Sequence, residues 1–136
     1  MSFINDLLRP TPDLSTLSKY TVLNGITYLG SGVLFIVWPG ATQTLFGDAD
    51  FVGNEGALIR VIGLTLVVIG WLYLAGGRTD SREFSAATIV DRLVFVPIVL
   101  VPLVAAGVFP HLFLTLAILD PLLAIGTWAL MSYERR

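Results

Sequence analysis

The sequence contains no cysteine and a single histidine, His111. Without thiols there is no disulfide, no thiolate metal site, no thiol redox chemistry and no covalent haem attachment. One imidazole excludes a bis-histidine haem site within one chain. Charge is scarce too: 13% of residues are Asp, Glu, Lys or Arg, against roughly 25% in an ordinary soluble domain. No basic run occurs and the net charge is −2, so nucleic acid is not an expected partner. Gly-rich phosphate loops and metal-ligand spacings are also missing, and neither a metal nor a cofactor is expected.

What the chain has instead is apolar surface. It is 55% hydrophobic over 136 residues, with a mean hydropathy of +0.82. A single domain of this size cannot hide that much apolar surface from water, so its solvent is a bilayer. Four segments, 20–38, 57–75, 86–109 and 111–131, match the ~20 residues a helix needs to cross the hydrocarbon. In lipid every backbone polar group must be satisfied internally, and unbroken runs of this length rule out barrel strands. The expected fold is all-α: one integral domain, a four-transmembrane-helix bundle. The first span is not a cleavable signal peptide, since it starts late and lacks a small-residue cleavage site.

The N-terminal segment places Phe3, Ile4, Leu7 and Leu8 on one helical face, which suits a short helix lying on the membrane surface. Pro12-Asp13 reads as the start of the helix that becomes span one, with Asp13 as its cap. "ATQTLFGD", from Ala41, reads as a second short interfacial piece. Arg9, Lys19, Arg78, Arg82, Arg135 and Arg136 all fall on one side of the four-span topology, and Asp48, Asp50 and Glu55 on the other. The positive-inside rule then puts both termini in the cytoplasm, with the chain in a plasma (inner) membrane. Trp38, Trp71, Tyr73, Trp128 and Tyr133 stand near span ends, where an aromatic belt belongs.

Each span also carries groups a lipid-facing helix avoids. Span one has Thr21, Asn24, Thr27, Tyr28 and Ser31 on one stripe, and span two has Gly56, Arg60, Gly63 and Gly70. Span three has Asp91 and Arg92; span four has Asp120, with Ala117, Ala124 and Thr127 on its face. Small residues mark close helix approach in membranes, so these charges are expected on packing faces. A central Asp or Arg costs roughly 2.5–3.5 kcal/mol on insertion scales. That cost argues for pairing across helices: Asp120 with Arg60, and Asp91 with a donor such as Asn24 or Tyr28. Arg92 is near enough to the inner boundary to reach headgroups. Asn24, Tyr28, Arg60, Asp91, Arg92 and Asp120 are thus the candidate ligand-binding or buried polar cluster. His111 reads as an interfacial residue rather than a proton relay. Pro121, Pro97 and Pro102 free the carbonyls of Ala117, Leu93 and Ile98.

In layout the chain resembles the small four-helix DoxX-like membrane proteins. The shared features are Trp38-Pro39 closing span one, "LFG" from Leu45 to Gly47, and a charged residue opening span two in "ALIRVIGLTLVVIG" from Ala57. The resemblance implies a small membrane subunit, in some cases of a quinone-linked oxidoreductase, in others an aid to assembly of partner proteins. It carries over no catalytic residue.

Three functions fit the residues. The first is a non-catalytic binding or accessory protein that takes a lipid-like or amphipathic molecule, or a partner membrane protein, in a polar-lined cleft. Its partners would be membrane lipids, a hydrophobic small molecule, and a second copy or larger membrane complex. The second is a dimeric proton-coupled transporter, in which Asp120 trades its proton for a cation. The third is a membrane enzyme with Asp91 and Asp120 as acid and base. The partner of Asp120 discriminates them: an arginine favours structure, an aqueous path favours transport.

Overall fold

The computed structural model describes residues 2–9, 11 and 13–134. The described residues form α1 (Phe3–Leu7), α2 (Thr16–Val37), α3 (Ala41–Thr44), α4 (Glu55–Gly77), α5 (Arg82–Val90), α6 (Val96–Ala105) and α7 (Pro110–Glu134). A π-helical turn, Asp91–Phe95, joins α5 to α6, so the stretch Arg82–Ala105 forms one span. Four helices are long and apolar enough to cross a bilayer, and no strand occurs among the described residues. The protein is an all-α, four-helix membrane protein.

The distribution of burial agrees with lipid as the solvent. The buried side chains include as many polar as apolar residues, while Leu23, Val33, Leu64, Val68, Ile118 and Ile125 point outward. A water-soluble domain sorts its residues the other way. Trp38, Trp71, Trp128 and Tyr133 are exposed near helix ends. Tyr73 is not: it is 5% exposed and belongs to the core.

The most extensive pairing is α2 against α4. The buried positions of α2 include Ser18, Thr21, Gly25, Tyr28, Gly32 and Phe35; those of α4 are Ile59, Gly63, Leu66, Gly70, Tyr73 and Gly77. Both series alternate steps of three and four, the period of a coiled-coil seam. The glycines recur every seventh residue on both helices and meet each other. A Cβ on Gly70 would lie 2.6 Å from the Gly25 carbonyl oxygen, and one on Gly63 would lie 2.7 Å from that of Gly32. In lipid, where burial of apolar surface gives helices no reason to associate, such backbone-to-backbone packing is a principal attraction. The other half of the bundle is α6 on α7, with α5 packed mainly on α7 and α2 also touching α7. The backbones of α4 and of α6 and α7 stay apart, which leaves a gap between the two halves.

Ends are secured by polar contacts between elements. Ser15, not Asp13, caps α2, its Oγ accepting the Ser18 N–H at 3.1 Å. Asp13 begins no helix because the first turn starts only at Thr16. Pro12 lies outside the described residues, as do Arg135 and Arg136. Ser15 also donates from N and Oγ to Asp80 Oδ1. Hydrogen bonds from Ser18 and Ser15 hold the Asp80 carboxyl below the usual carboxylate range. At the same end Glu134 accepts the Leu17 N–H, and Arg82 donates to the Met131 carbonyl.

At the opposite end Asp48 is 7% exposed rather than part of a solvated acidic loop. Gly47, at φ 77, turns the chain so that the Asp48 carboxylate reaches the start of α7. There it accepts the N–H groups of His111 at 2.9 Å and Leu112 at 3.0 Å. A carboxylate at a helix N-terminus satisfies otherwise unpaired donors and complements the helix dipole. The exposed His111 ring stands 3.6 Å from the same carboxylate. Asp48→Ala is expected to cost about 1–2 kcal/mol, as loss of a helix cap does, with Asp48→Asn costing less. Thermal unfolding in detergent measures both; an Asp48→Ala midpoint equal to wild type would refute the cap.

Candidate binding site

The interior polar groups form one connected network, built from four spans. Asp120 comes from the inward face of α7, shared with Phe113, Ala124 and Thr127. Ala117 on that face is half-buried. The proline after Asp120 cannot donate a backbone N–H to Ala117, so the helix is weakened beside the carboxylate. Tyr28 of α2 donates its hydroxyl to Asp120 Oδ1 at 2.8 Å. The Tyr28 ring meets Tyr73 of α4 edge-on, with centroids 5.5 Å apart. Tyr73 in turn donates to Asp91 Oδ2 at 2.5 Å. The chain of contacts thus runs Asp120, Tyr28, Tyr73, Asp91.

Arg92 closes the network. It is 1% exposed. Nε donates to the Thr88 carbonyl at 3.0 Å, and Nη2 donates to the hydroxyls of Thr88 at 2.9 Å and Thr127 at 3.0 Å. The guanidinium lies over the Tyr73 ring, 5.3 Å from its centroid, a cation–π arrangement strengthened by loss of water. The π turn makes this possible. Val96 donates to Asp91, five residues back, and Pro97 brings no donor of its own. The wider turn directs Arg92 fully, and Asp91 partly, into the bundle. Such turns are frequent at functional sites. Two buried donors, Asn24 Nδ2 and Arg92 Nη1, have no acceptor among the described residues.

Several sequence-based expectations are corrected here. Arg60 is exposed and does not pair with Asp120. The buried seam of α4 runs through Ile59, and the next residue is turned about 100° away from it. Asp91 pairs with neither Asn24 nor Tyr28: Tyr28 donates to Asp120, and Asp91 takes the Tyr73 hydroxyl instead. Arg92 does not reach for headgroups; two threonine hydroxyls and an aromatic face hold it inside. In the span-one stripe Thr21, Asn24 and Tyr28 are buried, but Thr27 faces outward, where its hydroxyl bonds the Leu23 carbonyl. Tyr73, Thr88 and the Gly25/Gly32 seam were missed. Tyr73 could have been found: it continues the step from Gly63 through Leu66 and Gly70.

Beside the network, the gap between α4 and the α6–α7 pair is a cleft of about 460 Å³. Its walls include Ile62, Ile69, Phe95, Val99, Leu103 and Phe113, and Asp120 is the one ionisable residue lining it. The hydroxyl of Thr65, also in the wall, is spent on the Val61 carbonyl. The cleft is therefore an open apolar groove with one carboxylate residue in its lining. Of the six residues singled out in the sequence, Tyr28, Asp91, Arg92 and Asp120 meet in the network. Asn24 is buried one helical turn from Tyr28, and Arg60 stands apart.

Comparison with known proteins brings no relative to this site. No protein-family model, curated protein or solved structure matches the chain. Among the described residues no group of three or more His, Asp or Glu side chains could hold a metal ion.

Proposed function

We propose that this small membrane protein is a non-catalytic binding protein that holds a lipid-like, amphipathic molecule in the cleft between α4 and the α6–α7 pair. The observation that carries the reading is an apolar cleft with one carboxylate, Asp120, in its wall. Binding sites for small molecules are mostly apolar and carry a few placed polar groups that fix orientation. Asp120 is held by a neutral tyrosine hydroxyl and not by an arginine, so it is not consumed by an ion pair. The walls are aliphatic and aromatic, which favours a ligand arriving from lipid over an aqueous proton path. Asp91 does not line the cleft, which separates the two carboxylates that an acid–base enzyme would use together.

The resemblance in layout to DoxX-like proteins is part of this proposal and rests on the sequence. So does the inner-membrane orientation with both termini cytoplasmic. Lys19, Arg78 and Arg82 stand at the end where α2 begins and α7 finishes, and basic residues favour the cytoplasmic side. A helix of a partner membrane protein is the competing occupant of the cleft.

The test is to narrow the cleft. Val99 lines it and is 59% exposed, so Val99→Trp fills space without disturbing the network. Native mass spectrometry after gentle extraction is expected to find a retained amphiphile on the wild type and none on Val99→Trp, at unchanged thermal stability. Equal retention by both proteins would overturn the reading, and a co-purifying membrane protein lost from Val99→Trp would replace it with the partner reading.

A further inference from the structure

We infer that the molecule held in this cleft is a single-chain amphiphile with a compact cationic head, an alkylammonium, whose charge rests against Asp120. The inference rests on the proposed binding role and adds the chemistry of the ligand.

Charge within the network is unbalanced. It contains two carboxylates, Asp91 and Asp120, and one cation, Arg92. Arg92 spends Nε and Nη2 on Thr88 and Thr127 and lies over the Tyr73 ring; its Nη1 has no acceptor among the described residues, and neither carboxylate lies within 4 Å of it. Among the described residues the only acid–base contact within 4 Å is His111 with Asp48, at the far end of α7. Both carboxylates accept a tyrosine hydroxyl, the arrangement that suits an ionised acceptor. Asp91 lies outside the cleft. Asp120 faces it, and only its Oδ1 is engaged among the described residues. Asp120 as a whole is 7% exposed and lines the cleft. A carboxylate open to an apolar space lacks the water that would solvate it, and an incoming cation supplies the missing partner.

Depth selects the size of the head. Asp120 lies ten residues along α7 from Pro110, which is about 15 Å, or half the hydrocarbon thickness. A phospholipid head stays at the interface and does not reach that depth. One ammonium on one alkyl chain does, with its tail along Ile62, Ile69, Val99 and Leu103. A carboxylate head would be repelled. An alcohol would fill the same space with a hydrogen bond but no charge.

The experiment compares three probes of one chain length, dodecylamine, dodecanol and dodecanoate, in competition with radiolabelled dodecylamine on purified protein in uncharged detergent. Uptake by empty micelles is subtracted. On the wild type the amine is expected to bind at least about tenfold more tightly than the alcohol, with the acid weakest. This ratio needs no variant. Asp120→Asn keeps a partner for Tyr28 and is expected to bring the amine down to the level of the alcohol. Val99→Trp is expected to exclude both. If wild type binds amine and alcohol alike, or Asp120→Asn leaves their ratio unchanged, the cationic head is wrong. The cleft itself survives that result if Val99→Trp still excludes them. If Val99→Trp excludes neither, the binding role fails with it.

Discussion

Gly70→Ala is expected to destabilise the protein by about 1–3 kcal/mol, the cost of overpacking a filled interior, and Gly70→Leu is expected to prevent recovery of folded protein. Gly30→Ala, on the same pair of helices, is expected to leave stability unchanged or slightly raised. The contrast follows from what an added methyl meets. At Gly70 it lies 2.6 Å from the Gly25 carbonyl oxygen and 2.8 Å from the Leu29 Cα. Both are backbone atoms, with no rotamer to move, so α2 and α4 must separate along their length. The loss then spreads to every contact on the seam, including the edge-on stacking of Tyr28 with Tyr73 that links two of the buried pairs. At Gly30 nothing lies within 4 Å, and alanine is the better helix former. Thermal unfolding in detergent decides the matter: equal midpoints for Gly70→Ala and Gly30→Ala would refute the glycine seam.

Arg92→Leu is the second large effect. A loss of about 3–5 kcal/mol is expected, since hydrogen bonds made by a charged group contribute about 1.5–3 kcal/mol each and Arg92 makes several. The variant leaves Asp91 and Asp120 with no cation among them. It also strips Nη2 from the hydroxyls of Thr88 and Thr127 and the guanidinium from the face of Tyr73. Arg92→Lys is expected to recover only part of the loss, because a point charge does not span Nε and Nη2 contacts at once. Adding Asp120→Asn to Arg92→Leu removes one stranded carboxylate, so the double variant is expected to be more stable than Arg92→Leu alone. Arg60→Leu serves as the reference, since Arg60 is exposed and lies off the α4 seam. If Arg92→Leu unfolds at the same temperature as Arg60→Leu, the network does not hold the bundle.

These two predictions differ in how far the sequence alone anticipates them. The glycines were legible in principle. Gly63 and Gly70 form a small-residue stripe, and Gly25 and Gly32 repeat the same seven-residue spacing one helix earlier. The arginine was not legible. Asp91 and Arg92 are adjacent, and on an ideal α-helix about 100° separates them. Regular geometry therefore sends one inward and leaves the other free to reach the boundary. The π turn before Pro97, which packs against α7, changes that.

Length and apolarity by themselves determined the class of this protein. A bilayer demands ~20 apolar residues per helix and penalises charge at its centre, so four spans and an inward Asp120 could be read directly. The inwardness of Asp120, Ala124 and Thr127 followed from helical periodicity. Tertiary structure alone decided who meets whom. Pairing turns on the rotation of each helix about its axis, and a single residue's step, from Ile59 to Arg60, carries a side chain from the seam to the surface. It also turns on contacts between segments far apart in the chain: Tyr28 with Asp120, Arg92 with Thr127, Asp48 with the start of α7. Periodicity within one helix contains no term for the orientation of its neighbours, and the cleft exists only because of that orientation.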